Sequence, residues 1–397
     1  MAGKHDTFRI ALMLKAKGAY GRDIIAGVCD YVRSTRLTWD LLLDEDFRSR
    51  PQSIRTWTGD GVIADFDDPE LVSLLAGGPL PVVGVGGSYQ KASDYPPGVP
   101  YVATDNMRLV ELAFGHLIEM GLPRFALYSS PPSPSNRWAR EREAAFRRCV
   151  EADGMQAEIF SGLPTFALDW EPMLDHLIEW LRTLPKPVGI IAVTDARARQ
   201  ILQACIMDGI AVPEEVAIMG IDDDPLLRML TRIPISSVTQ GTRKMGCQAA
   251  SILHRKLVGA PVPKQPVLVP PEGINAQAST RHQPIYDPYV MRARHYIRQF
   301  AAQGLKVAQV AEYVGVSRTT LDSHFRQQFG YTVHDEILAF KLQLSRQLLE
   351  SGELPCAEVA RRSGFTTLQY MYAVFRRELG CSPLEYREKQ GSHPPGK

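Results

Sequence analysis

The stretch from Leu305 to Gly330, LKVAQVAEYVGVSRTTLDSHFRQQFG, holds two short amphipathic patterns on either side of a glycine. In the first pattern, four small apolar residues follow the spacing of one helical face: Val307, Val310, Ala311 and Val314. Gly315 interrupts that spacing, and Ser317 is well suited to cap the start of a second helix. The second pattern repeats an apolar side chain every four residues, at Leu321, Phe325 and Phe329. The stretch therefore predicts two helices that pack through their apolar faces across a tight turn.

The second predicted helix leaves a polar face exposed. Together with the capping residue, this face carries cations and short hydrogen-bonding side chains: Ser317, Arg318, Thr319, Asp322, Ser323 and Arg326. Such side chains suit contacts with phosphates and base edges, so the pattern is typical of a helix-turn-helix that reads the major groove of DNA. The alternative for a single unit is a helical hairpin that binds no ligand.

The same pattern occurs a second time further along the chain. The apolar and turn residues of the first unit return at an offset of 49, as Ala357, Val359, Ala360, Gly364 and Phe365. The end of the unit returns at an offset of 50, as Phe375, Arg376 and Gly380, so the second turn is one residue longer. The residues predicted to contact DNA in this copy are Thr367, Leu368, Gln369 and Arg376. Two copies weaken the hairpin alternative, because an internal repeat indicates a repeated functional unit.

Residues 288–387, which close with Cys-Ser-Pro-Leu-Glu-Tyr-Arg at 381–387, resemble the DNA-binding domain of the AraC/XylS family. In that family a long helix joins two helix-turn-helix units, and both recognition helices enter successive major-groove segments on one face of the DNA. The resemblance implies that double-stranded operator DNA is the partner and that the joining helix runs from about His334 to Glu350. One turn of B-DNA is about 34 Å long, a distance that two rigidly joined units can span.

Length and composition indicate two or three globular domains. The chain has 397 residues, of which 45% are hydrophobic, and a net charge of +1. Residues 288–387 contain 13 Lys and Arg against 9 Asp and Glu, so the basic excess lies in the predicted DNA reader. That excess is modest for a nucleic-acid binder, and we therefore expect dimerisation and specific contacts to supplement phosphate attraction.

Cysteine usage and hydropathy indicate where the protein resides. The six cysteines lie far apart, without a C-x-x-C pair or a histidine at metal-ligand spacing, which is typical of reduced thiols in the cytosol. The sequence contains no apolar run that could act as a signal peptide or cross a bilayer. We therefore expect a cytoplasmic protein without a membrane partner, a metal or a cofactor. Phosphate-binding loops and nucleophile motifs are also absent from the sequence, so no enzymatic activity is predicted.

The first two-thirds of the chain alternate between short apolar runs and amphipathic stretches. Strands are predicted at Phe8–Leu14, Trp39–Leu43, Gly61–Ala64, Val82–Val85, Phe125–Tyr128, Val188–Val193 and Val216–Ile221. Helices are predicted at Tyr20–Arg33, Asn106–Glu119, Ala139–Val150, Met173–Arg182 and Ala196–Met207. This alternation predicts parallel α/β sheets, in which ligands bind beyond the carboxyl ends of the strands.

Motifs spread over the same region resemble the sugar-binding core of the LacI/GalR family and of periplasmic binding proteins. They are Asp60-Gly61-Val62-Ile63, Thr104-Asp105-Asn106, Arg142-x-x-Ala145-Phe146, Thr194-Asp195 where Asn-Asp is usual, and Gly220-Ile221-Asp222-Asp223. The resemblance implies a two-lobed α/β sensor at residues 1–280, without the N-terminal helix-turn-helix of LacI-type proteins. A proline cluster at 261–271 and a helix start at Asp287-Pro288 indicate a linker at 281–287 and an all-α reader with two helix-turn-helix units at 288–390.

A sugar needs hydrogen-bonding partners for its hydroxyls and an aromatic surface for its C–H faces. The predicted sugar contacts are Tyr20, Asp65, Trp138, Arg142, Thr194 and Asp222. The resemblance implies that Tyr20 stacks on the sugar, that Arg142 bridges two hydroxyls and that Asp222 accepts hydrogen bonds from hydroxyls.

Other roles remain open for several of these residues. Tyr20 is alternatively an exposed loop tyrosine, Asp65 a turn cap, Trp138 a wall-packing residue and Arg142 a solvated helix charge. Asp105 and Asp195 are predicted to cap the helices that follow them, which leaves Thr194 nearer the ligand.

A LacI-like sensor followed by an AraC-like reader resembles a family of activators of xylose-operon genes. The resemblance implies that sugar closes the two lobes, changes the packing of a homodimer and repositions the readers on paired half-sites, with RNA polymerase as the partner of the activator. It also implies an aldopentose ligand, with D-xylose as the first choice. The alternative is a regulator of the same design that senses another small sugar or represses transcription.

Overall fold

The computed structural model describes residues 7–43, 57–163, 170–281, 287–350 and 354–391. It divides into two compact units, Met1–His282 and Gln283–Lys397. Most of the predicted linker at 281–287 lies outside the described residues, because 282–286 are not among them.

The first unit is built on two six-stranded sheets. Its strands are β1 Phe8–Met13, β2 Trp39–Leu43, β3 Gly61–Asp65, β4 Val82–Gly87, β5 Tyr101–Thr104, β6 Phe125–Tyr128, β7 Glu158–Phe160, β8 Val188–Ala192, β9 Val216–Ile221, β10 Ser236–Thr239, β11 Val267–Val269 and β12 Gly273–Asn275. One sheet has the order β11-β5-β4-β3-β1-β2 with parallel pairing throughout. The other has the order β12-β10-β9-β8-β6-β7, and its edge strand β12 pairs antiparallel with β10. We call the parts built on these sheets the N lobe and the C lobe.

Helices cover the sheets, and short segments between elements carry the chain from one lobe to the other. The helices are α1 Ala19–Thr35, α2 Pro69–Leu75, α3 Asn106–Glu119, α4 Arg137–Ala152, α5 Trp170–Thr183, α6 Asp195–Asp208, α7 Pro225–Met229 and α8 Thr242–Leu257. The chain passes from one lobe to the other after β5, after β10 and after β11 in the part that the structure describes. These crossings bring the carboxyl ends of strands from both sheets to one cleft, which is where a ligand of a parallel sheet binds.

The predicted strands and helices of this unit are all present, with ends displaced by three residues or fewer. The strands β5, β7, β10, β11 and β12 and the helices α2, α7 and α8 were not predicted. Several of these are short, and a three-residue strand such as β11 shows no periodicity that could identify it.

Helix α8 is long but contains a glycine that weakens its helical pattern. That glycine, Gly246, lies against α1, where an added Cβ atom would come within 2.0 Å of the carbonyl oxygen of Ile24. Gly27 of α1 has the matching constraint against the Arg243 carbonyl oxygen, also at 2.0 Å. The two glycines allow the backbones of α1 and α8 to touch. Glycine disfavours a helix locally, but the packing of these two helices requires it.

The second unit is entirely helical in the part that the structure describes. Its helices are α9 Pro288–Phe300, α10 Val307–Val314, α11 Arg318–Phe329, α12 Val333–Glu350, α13 Cys356–Arg362, α14 Leu368–Leu379 and α15 Pro383–Gly391. Helix α12 is the predicted joining helix and begins one residue earlier than expected. It contributes Val333 and Ile337 to the core around α10 and α11, and Leu338 and Leu349 to the core around α13 and α14.

Local capping explains where these helices start and stop. Asp287 accepts hydrogen bonds from the Tyr289 amide at 2.9 Å and the Val290 amide at 3.2 Å, with Pro288 at the first helical position. Ser317 accepts from the Thr320 amide at 3.1 Å, as predicted. Gly315 ends α10 with a φ of +84°, a conformation that favours glycine. The predicted fold class, a two-lobed α/β sensor with an all-α domain of two helix-turn-helix units, is confirmed.

Candidate ligand cavity and nucleic-acid interface

A cavity of about 190 Å³ lies between the two lobes of the first unit. The six predicted sugar contacts all line it, together with six further residues: Asp67, Gly87, Thr104, Asn106, Ser135 and Gln240. The volume is below the roughly 300–1,000 Å³ of pockets for drug-sized ligands, so the cavity suits a small molecule.

Two carboxyl groups of the N lobe face the cavity: Asp65 is the last residue of β3, and Asp67 lies two residues beyond the strand. Asp65 Oδ1 accepts a hydrogen bond from the Asp67 amide at 3.0 Å, so the turn-cap role considered for Asp65 exists alongside its place in the cavity wall. Burial raises the pKa of Asp65 to about 7, and the charge of Asp67 adds to the rise. Burial also raises the pKa of Asp67, against the opposing effect of the Arg137 guanidinium. Both carboxyl groups are therefore poorly solvated, so hydrogen-bond donors to their oxygens are needed to stabilise the charged forms.

The C lobe contributes Asp222, which directly follows β9. Its Oδ1 accepts a hydrogen bond from Gln240 Nε2 at 2.6 Å. Burial and the nearby charge of Asp195 raise the pKa of Asp222 to about 7, while Arg142 lowers it. The backbone at Asp222 has a φ of +135°, which L-residues rarely adopt, and such strain often marks a functional site.

Arg142 projects from α4 and is the buried cation of the cavity. Its side chain is almost enclosed, with the residue 3% exposed, which excludes the solvated-charge alternative. Its Nε donates to Asn106 Oδ1 at 2.9 Å, and its Nη1 donates to the Val193 carbonyl oxygen. Burial lowers the pKa of Arg142, and the charge of Asp222 opposes that change. A guanidinium fixed in this way can present its remaining N–H groups to a ligand.

Aromatic side chains complete the wall. The Trp138 ring lies 4.9 Å from the Arg142 guanidinium carbon, in cation–π contact. Burial raises the pKa of the Tyr20 hydroxyl well above its usual value, and the carboxylates Asp67 and Asp65 raise it further. Tyr20 is therefore a neutral cavity residue, whereas the sequence left open an exposed loop position.

The prediction that Asp195 caps α6 was wrong. The cap is Thr194, whose Oγ1 accepts from the Arg197 amide at 3.3 Å. Asp195 instead accepts from Ser237 Oγ at 2.6 Å and from the Asp224 amide at 2.8 Å, and it is 5% exposed. Thr and Asp are both good cap residues, so the sequence alone could not show which of the two caps α6. In the structure Ser237 of β10 donates to Asp195, which leaves Thr194 as the cap. Asp105 does cap α3, as predicted, and accepts from the Arg108 amide at 3.1 Å.

Gln240 lines the cavity but was not predicted from the sequence. In the structure its side chain has a clear chemical feature. Gln240 is 5% exposed, and no group among the described residues donates a hydrogen bond to its Oε1. It follows β10, a strand that was not predicted, so nothing in the sequence marked it as a strand end. Asp67 was missed although it stands two residues after Asp65.

The polar face of α11 is available for a partner. Arg318, Thr319, Ser323 and Arg326 are exposed, and Ser317 is exposed at the start of the helix. Asp322 differs, because its Oδ1 accepts from the Val333 amide at 3.1 Å at the start of α12. Its carboxylate is thus already engaged within the protein.

The corresponding residues of α14 are arranged in the same way. Thr367 accepts from the Tyr370 amide at 3.1 Å as the helix cap, and it is exposed together with Gln369 and Arg376. Leu368 is half-buried and packs against the apolar core of this part of the unit. The two helices therefore present similar polar faces, each beginning with a capped turn.

None of the helices in the described residues is long and apolar enough to cross a membrane. In the same residues, no group of three or more His, Cys, Asp or Glu is arranged to hold a metal ion.

Family models match the chain in three consecutive parts. The XylR N-terminal domain matches residues 9–107, a periplasmic binding protein-like domain matches residues 114–280, and a helix-turn-helix domain matches residues 310–389.

Similar proteins extend over almost the whole chain. The xylose operon regulatory protein of Escherichia coli (strain K12) is 47% identical over 96% of this chain and 97% of its own length. The protein of that name from Haemophilus influenzae is 40% identical over 96% of this chain and 98% of its own length. A solved structure described as the xylose-binding transcription activator xylR is 45% identical, with a TM-score of 0.89 and coverage of 97% and 98%. With this two-part fold and this identity over nearly its full length, the chain belongs to the family of xylose operon regulatory proteins.

Proposed function

We propose that this protein is a cytoplasmic activator of xylose catabolism genes that is induced by D-xylose and acts by binding rather than by catalysis. In this proposal residues 1–280 sense the sugar, 281–287 form the linker and 288–390 read operator DNA. The observation that carries the proposal is the cavity, because buried carboxyl groups from both lobes and a buried guanidinium converge there.

The chemistry of the cavity suits a small neutral polyol. Hydroxyls of a pentose would donate to Asp65 and Asp222 and accept from Arg142, with Thr194 as a further polar contact. Tyr20 and Trp138 would cover the C–H faces of the sugar. Gln240 Oε1 would gain the donor that the described residues do not supply. Sugar phosphates are poor candidates, because their charge would meet several carboxylates in a poorly solvated space.

The choice of D-xylose rests on the relatives. The Escherichia coli and Haemophilus influenzae proteins are named for the xylose operon, and the solved activator is described as xylose-binding. At 40–47% identity over nearly the full length, the same sugar is the best candidate for this chain.

In the proposed mechanism, sugar closes the two lobes and changes how two sensors pack in a homodimer. The readers of the dimer then engage paired half-sites, and the bound activator contacts RNA polymerase. A coupling of about 1–3 kcal/mol between sugar and DNA binding would be enough for a switch. The test is an anisotropy titration of operator DNA with the intact protein, with and without D-xylose. Equal operator affinity, together with equal anisotropy of the saturated complex with and without D-xylose, would overturn the proposal.

A fragment of residues 286–397 should bind the operator weakly and should not respond to D-xylose, because sensing and dimerisation lie upstream. Anisotropy measurements on labelled operator DNA, run beside the intact protein, check this expectation. Sugar-dependent binding by the fragment would contradict the proposed division of labour.

Replacement of Gln369 with alanine should relax discrimination at one base pair by about 1–3 kcal/mol, because an amide can bond two atoms of one base edge. Competition against operators with single base changes measures this effect. Arg376→Ala on the same helix is the comparison, since loss of a phosphate contact should weaken all sequences alike. If Gln369→Ala leaves the base preferences unchanged, Gln369 does not read a base.

A further inference from the structure

Arg137 is the first residue of α4 in the C lobe, and its side chain reaches across to the N lobe. Its Nη2 donates to Asp67 Oδ1 at 2.6 Å and to the Gly87 carbonyl oxygen at 2.9 Å. Its Nη1 donates to the Ser88 carbonyl oxygen. The guanidinium carbon also lies 3.5 Å from the centroid of the Tyr89 ring. All of these partners belong to the N lobe, so a single side chain bridges the cleft.

The environment of this bridge strengthens it. The side chains of Arg137 and Asp67 are 16% and 10% exposed, so water screens their charges weakly. Glu141, one helical turn further along α4, accepts from Ser88 Oγ at 3.2 Å and lies 3.8 Å from Arg137 Nη1. The planar guanidinium is needed here, because it donates in several directions while stacking on an aromatic ring.

Arg137 is connected to the cavity through Asp67. Asp67 lines the cavity, whereas Arg137 is not among the described residues that line it. One oxygen of Asp67 accepts from Arg137, and the other accepts from the Gly87 amide at 2.9 Å. The orientation of this carboxylate in the cavity wall is therefore set from outside the cavity.

The lobes also make close steric contact beside the bridge. Trp138 is the residue next to Arg137. An added Cβ atom on Gly87 would lie 2.9 Å from the Cβ atom of Trp138 and 3.1 Å from Asn106 Nδ2. A methyl group at Gly87 would therefore push the lobes apart without removing any polar group.

We propose that Arg137 is a positioning residue for the ligand site, which fixes Asp67 in the cavity wall and latches the two lobes in the closed arrangement. The proposal rests on the proposed sugar-sensing function. A latch of this kind sets the fraction of protein that is already closed. Since the apparent dissociation constant is the intrinsic one divided by that fraction, Arg137 controls sugar affinity without touching the sugar.

The first measurement is calorimetric titration of D-xylose into the intact chain. Arg137→Met should weaken binding at least tenfold, and Arg137→Lys, which keeps the charge beside Asp67, should recover at least threefold of that loss. Gly87→Ala should also weaken binding at least tenfold, because the added methyl group would press against Trp138 and Asn106 while every polar side chain remains. Arg182→Met is the matched control, because Arg182 forms an exposed ion pair with Asp208 in the same lobe and should stay within twofold of wild type.

The second measurement is hydrogen–deuterium exchange without sugar, followed in a peptide that spans Val85–Tyr89. Exchange should rise in Arg137→Met and Gly87→Ala, because the Gly87 amide loses its fixed acceptor, and should stay unchanged in the control. Wild-type affinity in Arg137→Met, no recovery by lysine, or unchanged exchange would each overturn the latch. If the wild type ignores D-xylose, the proposed function fails while the exchange data still decide the latch.

Discussion

Replacing Arg142 with alanine should weaken D-xylose binding at least tenfold, which is about 1.4 kcal/mol. The side chain is buried and holds Asn106 Oδ1 and the Val193 carbonyl oxygen. Without it, these two acceptors lose their donor and Asp222 loses the cation that lowers its pKa. The variant would also lack the charged donor to the sugar hydroxyls, and a hydrogen bond to a charged group contributes about 1.5–3 kcal/mol. Calorimetric titration of the sugar into wild type and variant measures the ratio of the two affinities.

Asp222→Asn is the companion change, because it preserves the shape of the side chain and removes its charge. We expect it to cost at least tenfold in affinity as well, since an amide accepts hydrogen bonds from hydroxyls less strongly than a carboxylate. Arg182→Ala, at a position where the side chain is 63% exposed, should have no effect. Wild-type affinity in Arg142→Ala and Asp222→Asn would refute the assignment of these residues. If the wild type binds another pentose instead of D-xylose, the assignment of the site stands and only the identity of the ligand is wrong.

Replacing Gly364 with alanine should destabilise the second unit by about 2–5 kcal/mol. Gly364 has a φ of +76°, where a side chain costs about 1–2 kcal/mol. An added Cβ atom would also lie 2.3 Å from the Ala301 carbonyl oxygen and 2.8 Å from the Ala302 carbonyl carbon, and overpacking of this kind costs about 1–3 kcal/mol more. Urea denaturation followed by circular dichroism measures the loss in the intact chain, and operator binding should fall with it.

Gly315→Ala is the matched control for this prediction. Gly315 occupies the equivalent turn of the first helix-turn-helix with a φ of +84°, but an added Cβ atom would meet nothing within 4 Å. Its replacement should cost the backbone strain alone, about 1–2 kcal/mol. Equal losses in the two variants would show that the close approach of Gly364 to the segment after α9 does not constrain the unit.

Much of the reader domain could be predicted from the sequence, because its signals are local. The apolar spacing of α10 and α11, the break at Gly315 and the caps at Ser317 and Asp287 all lie within a few residues of the structure they specify. The strands and helices of the sensor that were predicted are present for the same reason. The six predicted sugar contacts line one cavity because each lies at or just after the end of a strand, or on a helix that borders the cleft.

Other features were decided by the tertiary structure, because they depend on residues that are distant in sequence. Arg137 and Asp67 are separated by 70 positions, and neither shows a local pattern that indicates the other. Gln240 faces the cavity because it directly follows β10, which joins the C-lobe sheet. The four residues of β10 are too few to predict a strand from the sequence. Asp195 does not cap α6 as predicted, because it accepts a hydrogen bond from Ser237 of β10, 42 positions away in the sequence. Local periodicity specifies hydrogen bonds within an element, whereas these contacts depend on which distant strands, helices and lobes the tertiary structure places side by side.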